Sequence, residues 1–114
     1  MTVMLVTAII KPQMLEPVKD AVREAGVQGM TVTEVRGFGR QGGHSETYRG
    51  VEYTVDLIPK LRIEVLCPLD QAEMVMTVVQ KAAYTGKIGD GKIWATDVNR
   101  LLRIRTGEMG TEAV

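Results

Sequence analysis

The sequence predicts an α+β domain in which the elements follow the order β-α-β-β-α-β. Val3–Ile10 is rich in Val and Ile, which predicts a buried first strand. Residues 60–65 alternate between charged and apolar side chains, as in a strand with one buried face. Two stretches with apolar residues at helical spacing separate the strands. This order is that of the ferredoxin-like fold, with both helices on one face of a four-stranded antiparallel sheet.

The two predicted helices have clear boundary signals. Pro17 suits the first turn of the first helix, and Gly26 is a natural end for it. Asp70 is a good cap for the second helix, and Glu73 lies in its first turn. The predicted buried faces are Leu15, Val18, Val22 and Ala25 in the first helix, and Met74, Val75, Val78, Val79 and Ala82 in the second.

The remaining strands are predicted at residues 30–35, at 60–67 with Pro68 as the end, and at 93–98. A short fifth strand over 101–105 would place Arg103 and Arg105 on one side, away from Leu102 and Ile104. Since both helices cover the same sheet face, the opposite face needs another surface to bury it. We therefore expect the chain to form an oligomer.

Composition and charge exclude several classes of protein. The 114 residues predict a single domain over 1–114 with an ordinary soluble composition. Fourteen basic and fourteen acidic residues balance, so the net charge does not indicate binding to nucleic acid or an anionic membrane. The longest apolar run is too short to span a bilayer. The lone Cys67 cannot form an internal disulfide, which fits a cytoplasmic location.

A long segment between the second and third strands has no periodic pattern. Residues 39–54 contain Gly42, Gly43 and Gly50 among polar side chains, with a period of neither two nor 3.6. Connections of this length without regular structure are uncommon in compact domains and are usually functional or disordered. We expect an irregular loop here.

Residues 86–92 contain the pattern G-x-x-x-x-G-K, which opens a phosphate-binding loop. Ile93 stands where a P-loop has the hydroxyl that holds magnesium, and a strand follows in place of a helix. This context excludes a P-loop NTPase. Glycines still expose backbone N–H groups to an anion, and Lys92 would add a charge. A tight structural turn is the alternative.

The predicted pair Arg103 and Arg105 strengthens the phosphate interpretation. Guanidinium groups two residues apart on a strand project in one direction and suit bidentate contacts with phosphate oxygens. The alternative is a solvated strand edge. Constellations for catalysis are missing: His44 is the only histidine and has no evident orienting carboxylate, and no Cys/His cluster has metal-ligand spacing. We predict no catalytic residue.

Four segments together resemble the PII nitrogen-regulatory signal-transduction family. They are Gly37-Phe38-Gly39-Arg40-Gln41, Tyr48-Arg49-Gly50-Val51-Glu52-Tyr53, Thr85-Gly86-Lys87-Ile88-Gly89-Asp90-Gly91-Lys92 and Arg103-Ile104-Arg105-Thr106-Gly107-Glu108. The resemblance covers essentially the whole chain in order. It implies a homotrimer of ferredoxin-like subunits with nucleotide sites in the clefts between them.

The resemblance also implies names and roles for the loops. The T-loop is residues 39–54, the B-loop 84–92 and the C-terminal loop 103–114. The B-loop of one subunit would hold the phosphates of ATP or ADP, and two arginines of a neighbour would reach them. The nucleotide-binding residues implied are Ile9, Thr31, Arg40, Glu64, Gly89, Asp90, Gly91, Lys92, Arg103 and Arg105.

A second effector, 2-oxoglutarate, is implied at the base of the T-loop. Gln41 would share Mg²⁺ with ATP and the keto acid, and Lys60 would pair with its distal carboxylate. A dianion beside a triphosphate needs a divalent cation and a lysine to offset repulsion. The residues implied for this ligand are Gly39, Arg40, Gln41, Gly43 and Lys60.

Regulation in such proteins acts through the T-loop. Tyr53 resembles the tyrosine that many members nucleotidylylate. The resemblance implies a partner such as an ammonium transporter, a nucleotidylyltransferase, a glutamine synthetase adenylyltransferase or another nitrogen-metabolism target. The chain departs from the family pattern at Gly42, Val51 and Ala95. None of these is an implied ligand group, and the two T-loop changes, Gly42 and Val51, bear on partner recognition.

Two alternatives belong to other functional classes. A ferredoxin-like RNA-binding module would stack bases on aromatic residues of its exposed central strands. Here Phe38, Tyr48 and Tyr53 lie in or beside the long loop instead. A phosphoryl-transfer enzyme would need a base near the phosphates, for which His44 is the only serious candidate. We expect at most slow ATP hydrolysis.

Overall fold

A computed structural model describes residues 2–39, 44–48, 50–55 and 57–114. The side chains of 44–48 and 51–55 lie outside the description. Short 3₁₀ turns at Pro12–Met14 and Leu69–Gln71 directly precede the two helices, and a third lies near the end of the chain at Gly110–Ala113. The strands and helices are β1 (Val3–Ile10), α1 (Leu15–Glu24), β2 (Thr31–Gly37), β3 (His44–Tyr48), β4 (Val51–Val55), β5 (Ile58–Pro68), α2 (Ala72–Ala83) and β6 (Lys92–Val98).

Four of the strands form one antiparallel sheet in the order β2-β5-β1-β6. The long strands β1 and β5 occupy the centre, and β1 pairs with β5 along its whole length, from Val3 opposite Pro68 to Ile10 opposite Leu61. The ferredoxin-like α+β fold class predicted from the sequence is confirmed. Neither helix in the described part of the chain is long and apolar enough to cross a membrane.

The hydrophobic core lies between the two helices and one face of the sheet. Alternate residues of the central strands are buried there, as the predicted alternation of residues 61, 63 and 65 required. Val18 and Val22 of α1 and Val75 and Val79 of α2 are buried against them. The buried cluster comprises Val6, Ala8, Ile10, Val18, Val22, Leu61, Ile63, Val65, Cys67, Ala72, Val75, Val79 and Ala83.

The end of α1 follows the predicted glycine signal. Gly26 adopts a φ of 89°, which a glycine reaches without steric strain. The N–H of Gly26 donates to the Arg23 carbonyl at 3.0 Å, and that of Val27 donates to the Val22 carbonyl at 3.2 Å. These two bonds form a Schellman motif, which satisfies carbonyls that the end of a helix leaves free.

Two predictions for α2 were wrong. Asp70 lies inside the 3₁₀ turn Leu69–Gln71, and the N-cap of α2 is Gln71, which makes no side-chain capping bond. The tight turn continues directly into the helix, so the position of Asp70 is not that of a cap. Met74 is exposed, because the buried face of α2 is the stripe that begins at Ala72 and ends at Ala83.

The structure also differs from the predictions for the T-loop and for residues 101–105. The T-loop contains a hairpin, in which β3 pairs with β4 from His44 opposite Val55 to Tyr48 opposite Val51. Its mixed polar sequence gave no signal of period two. The predicted fifth strand is absent from residues 101–105, where only Leu102 forms an isolated bridge, to Met109. Residues 104–106 form a turn instead.

The sheet face opposite the helices has no covering element in the described chain. Directly paired residues of antiparallel strands share a face. One row across this open face is Thr31, Glu64, Thr7 and Trp94, and the next is Thr33, Arg62, Ile9 and Lys92. Trp94 is 40% exposed there. A tryptophan on an open sheet face supports the expectation of self-association.

Candidate functional site

The B-loop joins α2 to β6 and has an unusual backbone. Gly89 and Gly91 adopt φ values of 96° and 104°, in a region that residues with a Cβ rarely occupy. A Cβ on Gly91 would lie 1.7 Å from the carbonyl oxygen of Ile9, so the loop packs directly on the backbone of β1. This close approach explains why glycine is needed at position 91.

The Asp90 carboxylate organises the loop from inside. Its Oδ2 accepts the N–H of Thr85 at 2.8 Å and that of Gly86 at 3.0 Å, while its Oδ1 accepts the Thr85 hydroxyl. These hydrogen bonds, led by that of the Thr85 hydroxyl and joined by one from Lys11, hold the pKa of Asp90 well below its usual range. The Asp90 side chain therefore bonds to the loop itself and to Lys11. Only the backbone of Asp90 is left to contact an anionic ligand.

Two lysines attach this loop to the sheet. Lys11, just after β1, lies with its Nζ 3.1 Å from Asp90 Oδ1 and 3.2 Å from Thr85 Oγ1. The Nζ of Lys60 in β5 donates to the carbonyl oxygen of Gly89 at 2.8 Å. Burial lowers the pKa of Lys60, and nearby Lys11 lowers it further, against an opposite effect from Asp90. With Lys92, three lysines surround the B-loop.

The register of the sheet places the other predicted residues near this loop. Ile9 is paired with Lys92, and both lie on the open face at the B-loop end of the sheet. Ile9 also lines a cavity of about 140 Å³ with Asp90, Gly91 and Lys92. The structure therefore brings six predicted residues together around one loop: Ile9, Lys60, Gly89, Asp90, Gly91 and Lys92.

Thr31 and Glu64 are paired with each other on the same open face. They line a larger, mostly apolar cavity of about 860 Å³ together with Leu5, Leu66 and Val98 of the sheet. Residues Thr111 and Val114 of the C-terminal loop complete one side of this cavity. The two cavities occupy different parts of one chain, so Ile9 does not share a cavity with Thr31 and Glu64.

Arg103 and Arg105 lie at the other end of the sheet from the B-loop. They follow β6, whereas the B-loop precedes it, and seven residues of strand separate the two ends by about 20 Å. Arg103 donates to Glu108 Oε1 at 2.9 Å, and Arg105 lies in an exposed turn. The prediction that both arginines project from one strand face was wrong, since no strand forms there.

Several predicted residues lie outside the described part of the chain. Arg40, Gln41 and Gly43 are among them, and so is the side chain of Tyr53, whose backbone in β4 pairs with Glu46. Gly39 follows the end of β2 at the base of the T-loop. Among the residues that the structure does describe, no group of three or more His, Cys, Asp or Glu side chains could hold a metal ion. The predicted Mg²⁺ site at Gln41 is therefore not tested.

Sequence reasoning missed the roles of Lys11 and Thr85. Lys11 appears in the sequence only as the residue before Pro12, a strand end, and its partner Asp90 is distant along the chain. Thr85 belongs to the recognised B-loop segment, but its hydroxyl function depends on how the loop folds back. A basic residue at the end of β1, read with the predicted fold, could have suggested the contact with the B-loop.

The chain is a ferredoxin-like domain whose glycine-rich loop is followed by a strand. This arrangement distinguishes it from P-loop enzymes, in which a helix follows the loop. Comparison with known proteins then shows the family. The model of the family "Nitrogen regulatory protein P-II" matches residues 3–108, and this chain belongs to that family.

Individual relatives agree with this assignment. The chain is 56% identical to nitrogen regulatory protein GlnK of Escherichia coli K12, over 96% of this chain and 98% of that protein. It is 53% identical to nitrogen regulatory protein P-II of Rhizobium meliloti, over 96% and 97% of the two chains. A crystal structure of Arabidopsis thaliana PII bound to citrate superimposes with a TM-score of 0.81 at 34% identity, covering 99% of this chain and 92% of that one.

Proposed function

We propose that this chain is a non-catalytic sensor that binds ATP or ADP together with 2-oxoglutarate and regulates partner proteins through the T-loop. One observation carries the proposal most directly. Gly89 and Gly91 hold a backbone with positive φ beside Lys60 and Lys92, while Asp90 is turned inward onto Thr85 and Lys11. The loop therefore offers backbone N–H groups and lysine charges to a polyphosphate without opposing it with a free carboxylate.

The distance between the B-loop and the arginines supports assembly into a homotrimer. Arg103 and Arg105 cannot reach the B-loop of their own chain across about 20 Å of β6. A neighbouring copy can supply them at a seam between subunits. The open sheet face gives such copies a surface to bury, on which Trp94 is exposed.

A nucleotide base fits the larger cavity better than the smaller one. The cavity at Thr31 and Glu64 is mostly apolar, as a base requires, and its polar lining includes the Thr31 hydroxyl and the Glu64 carboxylate. Ile9 lies in the adjacent row of the same sheet face, closer to the B-loop. A base near Glu64 and phosphates near Gly91 would thus lie along one face of the sheet.

The keto acid would bind where the T-loop leaves the sheet. Lys60 is the described residue suited to a carboxylate, since its ammonium group lies beside the B-loop. Gln41 would hold Mg²⁺ at this site, and the charge of the ion would offset part of the repulsion between ATP and 2-oxoglutarate. Gln41, with Arg40, Gly43 and Gly39 at the loop base, would complete this site. Binding at the root of the T-loop would select one loop conformation.

The T-loop would then carry the signal to a nitrogen-metabolism partner in the cytoplasm. An ammonium transporter, a nucleotidylyltransferase and a glutamine synthetase adenylyltransferase are the proposed kinds of target. Tyr53 would be the site of nucleotidylylation, and intact-mass measurement of protein from nitrogen-limited cells tests this. A mass increase that Tyr53→Phe removes supports the assignment; an increase that persists in this variant contradicts it.

Titration calorimetry tests the sensor function itself. We expect ATP and ADP to bind, and 2-oxoglutarate to bind only when Mg²⁺ and ATP are present. Keto-acid binding of equal strength without nucleotide would contradict the shared-metal arrangement. Steady ATP turnover that His44→Ala abolishes would instead show an enzyme, and RNA affinity without nucleotide affinity would show an RNA-binding module.

A further inference from the structure

Three of the five N–H donors of the Arg103 guanidinium group, including both on Nη2, contact its own chain. Nη1 donates to Glu108 Oε1 at 2.9 Å, and Nη2 donates to the carbonyl oxygens of Glu112 at 2.9 Å and Val114 at 3.2 Å. The backbone of Arg103 takes part as well, since its N–H donates to the Glu108 carbonyl at 2.9 Å and its carbonyl accepts the Gly107 N–H at 2.8 Å. We name residues 108–114 the tail clasp.

These contacts occupy the part of Arg103 that a phosphate would use. An arginine grips phosphate bidentately through one of two edges, either Nε with Nη2 or Nη1 with Nη2. Both edges include Nη2, and both contacts of Nη2 go to the tail clasp. While the clasp is closed, Arg103 has no bidentate edge to offer a ligand.

We infer that the tail clasp is an intramolecular competitor of the nucleotide for Arg103, with the Glu108 carboxylate in the place of a phosphate oxygen. This inference rests on the proposed function, in which Arg103 reaches the polyphosphate held by a neighbouring B-loop. Nucleotide binding must release the clasp. By linkage, a free clasp favours nucleotide binding, and bound nucleotide favours a free clasp.

The structure of the clasp suits reversible release. The Arg103 and Glu108 side chains retain 33% and 41% of their exposure, and an ion pair this exposed contributes little to stability. Two glycines with positive φ, Gly107 just before the segment and Gly110 within it, give it turns that can rearrange. A polyphosphate carries several negative charges, so it can compete with the single carboxylate of Glu108 for the Arg103 guanidinium group.

The test compares Glu108→Gln with Glu112→Gln in the full-length chain. Both variants remove one negative charge from the clasp, but only the first removes a charge that Arg103 contacts, since glutamine keeps an amide oxygen without the ion pair and Glu112 contacts Arg103 through its main-chain carbonyl. ATP affinity is measured by calorimetry, and hydrogen exchange of residues 108–114 is followed by mass spectrometry. Because both variants lose one negative charge, general repulsion of the polyphosphate changes equally in both. A difference between them therefore reports the loss of the Arg103–Glu108 ion pair.

We expect Glu108→Gln to bind ATP about two- to fivefold more tightly than the wild type, as release of one exposed ion pair allows. Glu112→Gln should match the wild type within about 1.5-fold on the same grounds. ATP should accelerate exchange of the clasp in the wild type, and Glu108→Gln should show fast exchange before ATP is added.

Other results have distinct meanings. Equal or weaker ATP binding by Glu108→Gln, with normal binding by the wild type, would overturn the competition and leave the proposed function intact. An equal gain in both variants would show only general electrostatics and would also overturn it. Absence of ATP binding by the wild type would remove the proposed function, and this inference with it.

Discussion

The Nζ of Lys60 donates a hydrogen bond to the carbonyl oxygen of Gly89 at 2.8 Å, which joins the third strand of the ferredoxin-like core to the B-loop. Lys60 is only 9% exposed, and its burial lowers its pKa. A nearly buried ammonium group has three donors, and Gly89 accepts from one of them. The position of this charge beside the B-loop makes Lys60 the residue to test first.

Lys60→Met should abolish most of the keto-acid affinity while the protein still binds ADP. Loss of a hydrogen-bonded charge at the distal carboxylate corresponds to about 10- to 100-fold weaker 2-oxoglutarate binding. ADP affinity should fall much less than keto-acid affinity, because Lys92 and the close contact of Gly91 with Ile9 remain although the bond from Lys60 to Gly89 is lost. Calorimetry with Mg-ATP and 2-oxoglutarate, and separately with ADP, measures both quantities.

The control for this prediction is Arg62→Met, which removes a positive charge from the same strand and the same sheet face. Arg62 is exposed and two residues farther from the B-loop. Its substitution should leave 2-oxoglutarate binding within about twofold of the wild type, as is usual for a surface charge. Equal losses in both variants would show that net charge, not Lys60, determines the affinity.

Gly91→Ala should destabilise the B-loop and eliminate nucleotide binding. The added Cβ would lie 1.7 Å from the Ile9 carbonyl oxygen, at a φ of 104°. Overpacking and the strained backbone together predict a loss of about 2–4 kcal/mol in the free energy of unfolding, or displacement of the loop. Urea denaturation measures the stability, and calorimetry with ADP measures the binding.

Gly29→Ala is the matched control for the stability measurement alone, because Gly29 lines the cavity at Thr31 and Glu64. A Cβ on Gly29 would have no atom within 4 Å, and the backbone there needs no positive φ. We expect a change of less than about 0.5 kcal/mol in the free energy of unfolding. Wild-type stability and ADP binding in Gly91→Ala would show that the B-loop does not depend on its contact with β1.

The fold could be predicted because its signals are local. Leu61, Ile63 and Val65 alternate with charged residues, and the stripe of α1 ends at Gly26 as a helix should. The tail could not be predicted in the same way. Leu102 and Ile104 alternate with arginines as in a strand, but the segment turns because Arg103 bonds to residues further along the chain.

Only part of the candidate site could be predicted, because only some of its features have a local signal in the sequence. The strained glycines of the B-loop follow from a recognisable sequence pattern. The partners of Asp90 depend on the folded arrangement, because Lys11 reaches it from the end of β1. An aspartate beside glycines looks like a ligand residue in the sequence, whereas its carboxylate is saturated by the loop itself.

Asp90 should make the stability of the protein depend on pH in the acid range. Because the folded pKa of Asp90 lies below that of an ordinary aspartate, its stabilising effect is complete above about pH 5 and disappears as the pH falls toward the folded pKa. Asp90→Asn should therefore lower the melting temperature at pH 7, and this difference should shrink between pH 4 and pH 2. Melting curves of both proteins across this range measure the effect.

Asp97→Asn provides the comparison for Asp90→Asn, because Asp97 is an exposed acid on β6. Its substitution should leave the melting temperature at pH 7 nearly unchanged, as expected of a surface position. A difference between wild type and Asp90→Asn that stays constant down to pH 2 would contradict the role of the ionised carboxylate. The contribution of Asp90 to the melting temperature would then come from the shape of its side chain and not from its charge.

Trp94→Glu should dissociate the proposed homotrimer. Trp94 lies on the open sheet face in one row with Thr7 and Glu64, so a second carboxylate there would repel Glu64 as well as oppose burial. Light scattering coupled to gel filtration should give the wild type about three times the 12.5 kDa chain mass and the variant a single chain. Nucleotide binding should be lost with the assembly, since Arg103 and Arg105 would no longer reach a neighbouring B-loop.

Leu69→Glu, on the helical side of the sheet, separates loss of a specific interface from loss of an exposed apolar residue. Leu69 is 55% exposed, more than Trp94 at 40%, so exposure alone would rank it the better interface candidate. We expect Leu69→Glu to keep the wild-type mass and nucleotide affinity, because the open sheet face is the one that lacks a covering element among the described residues. A wild-type protein of single-chain mass that still binds ADP would contradict assembly through this face, since one chain keeps the arginines and the B-loop apart by the length of β6.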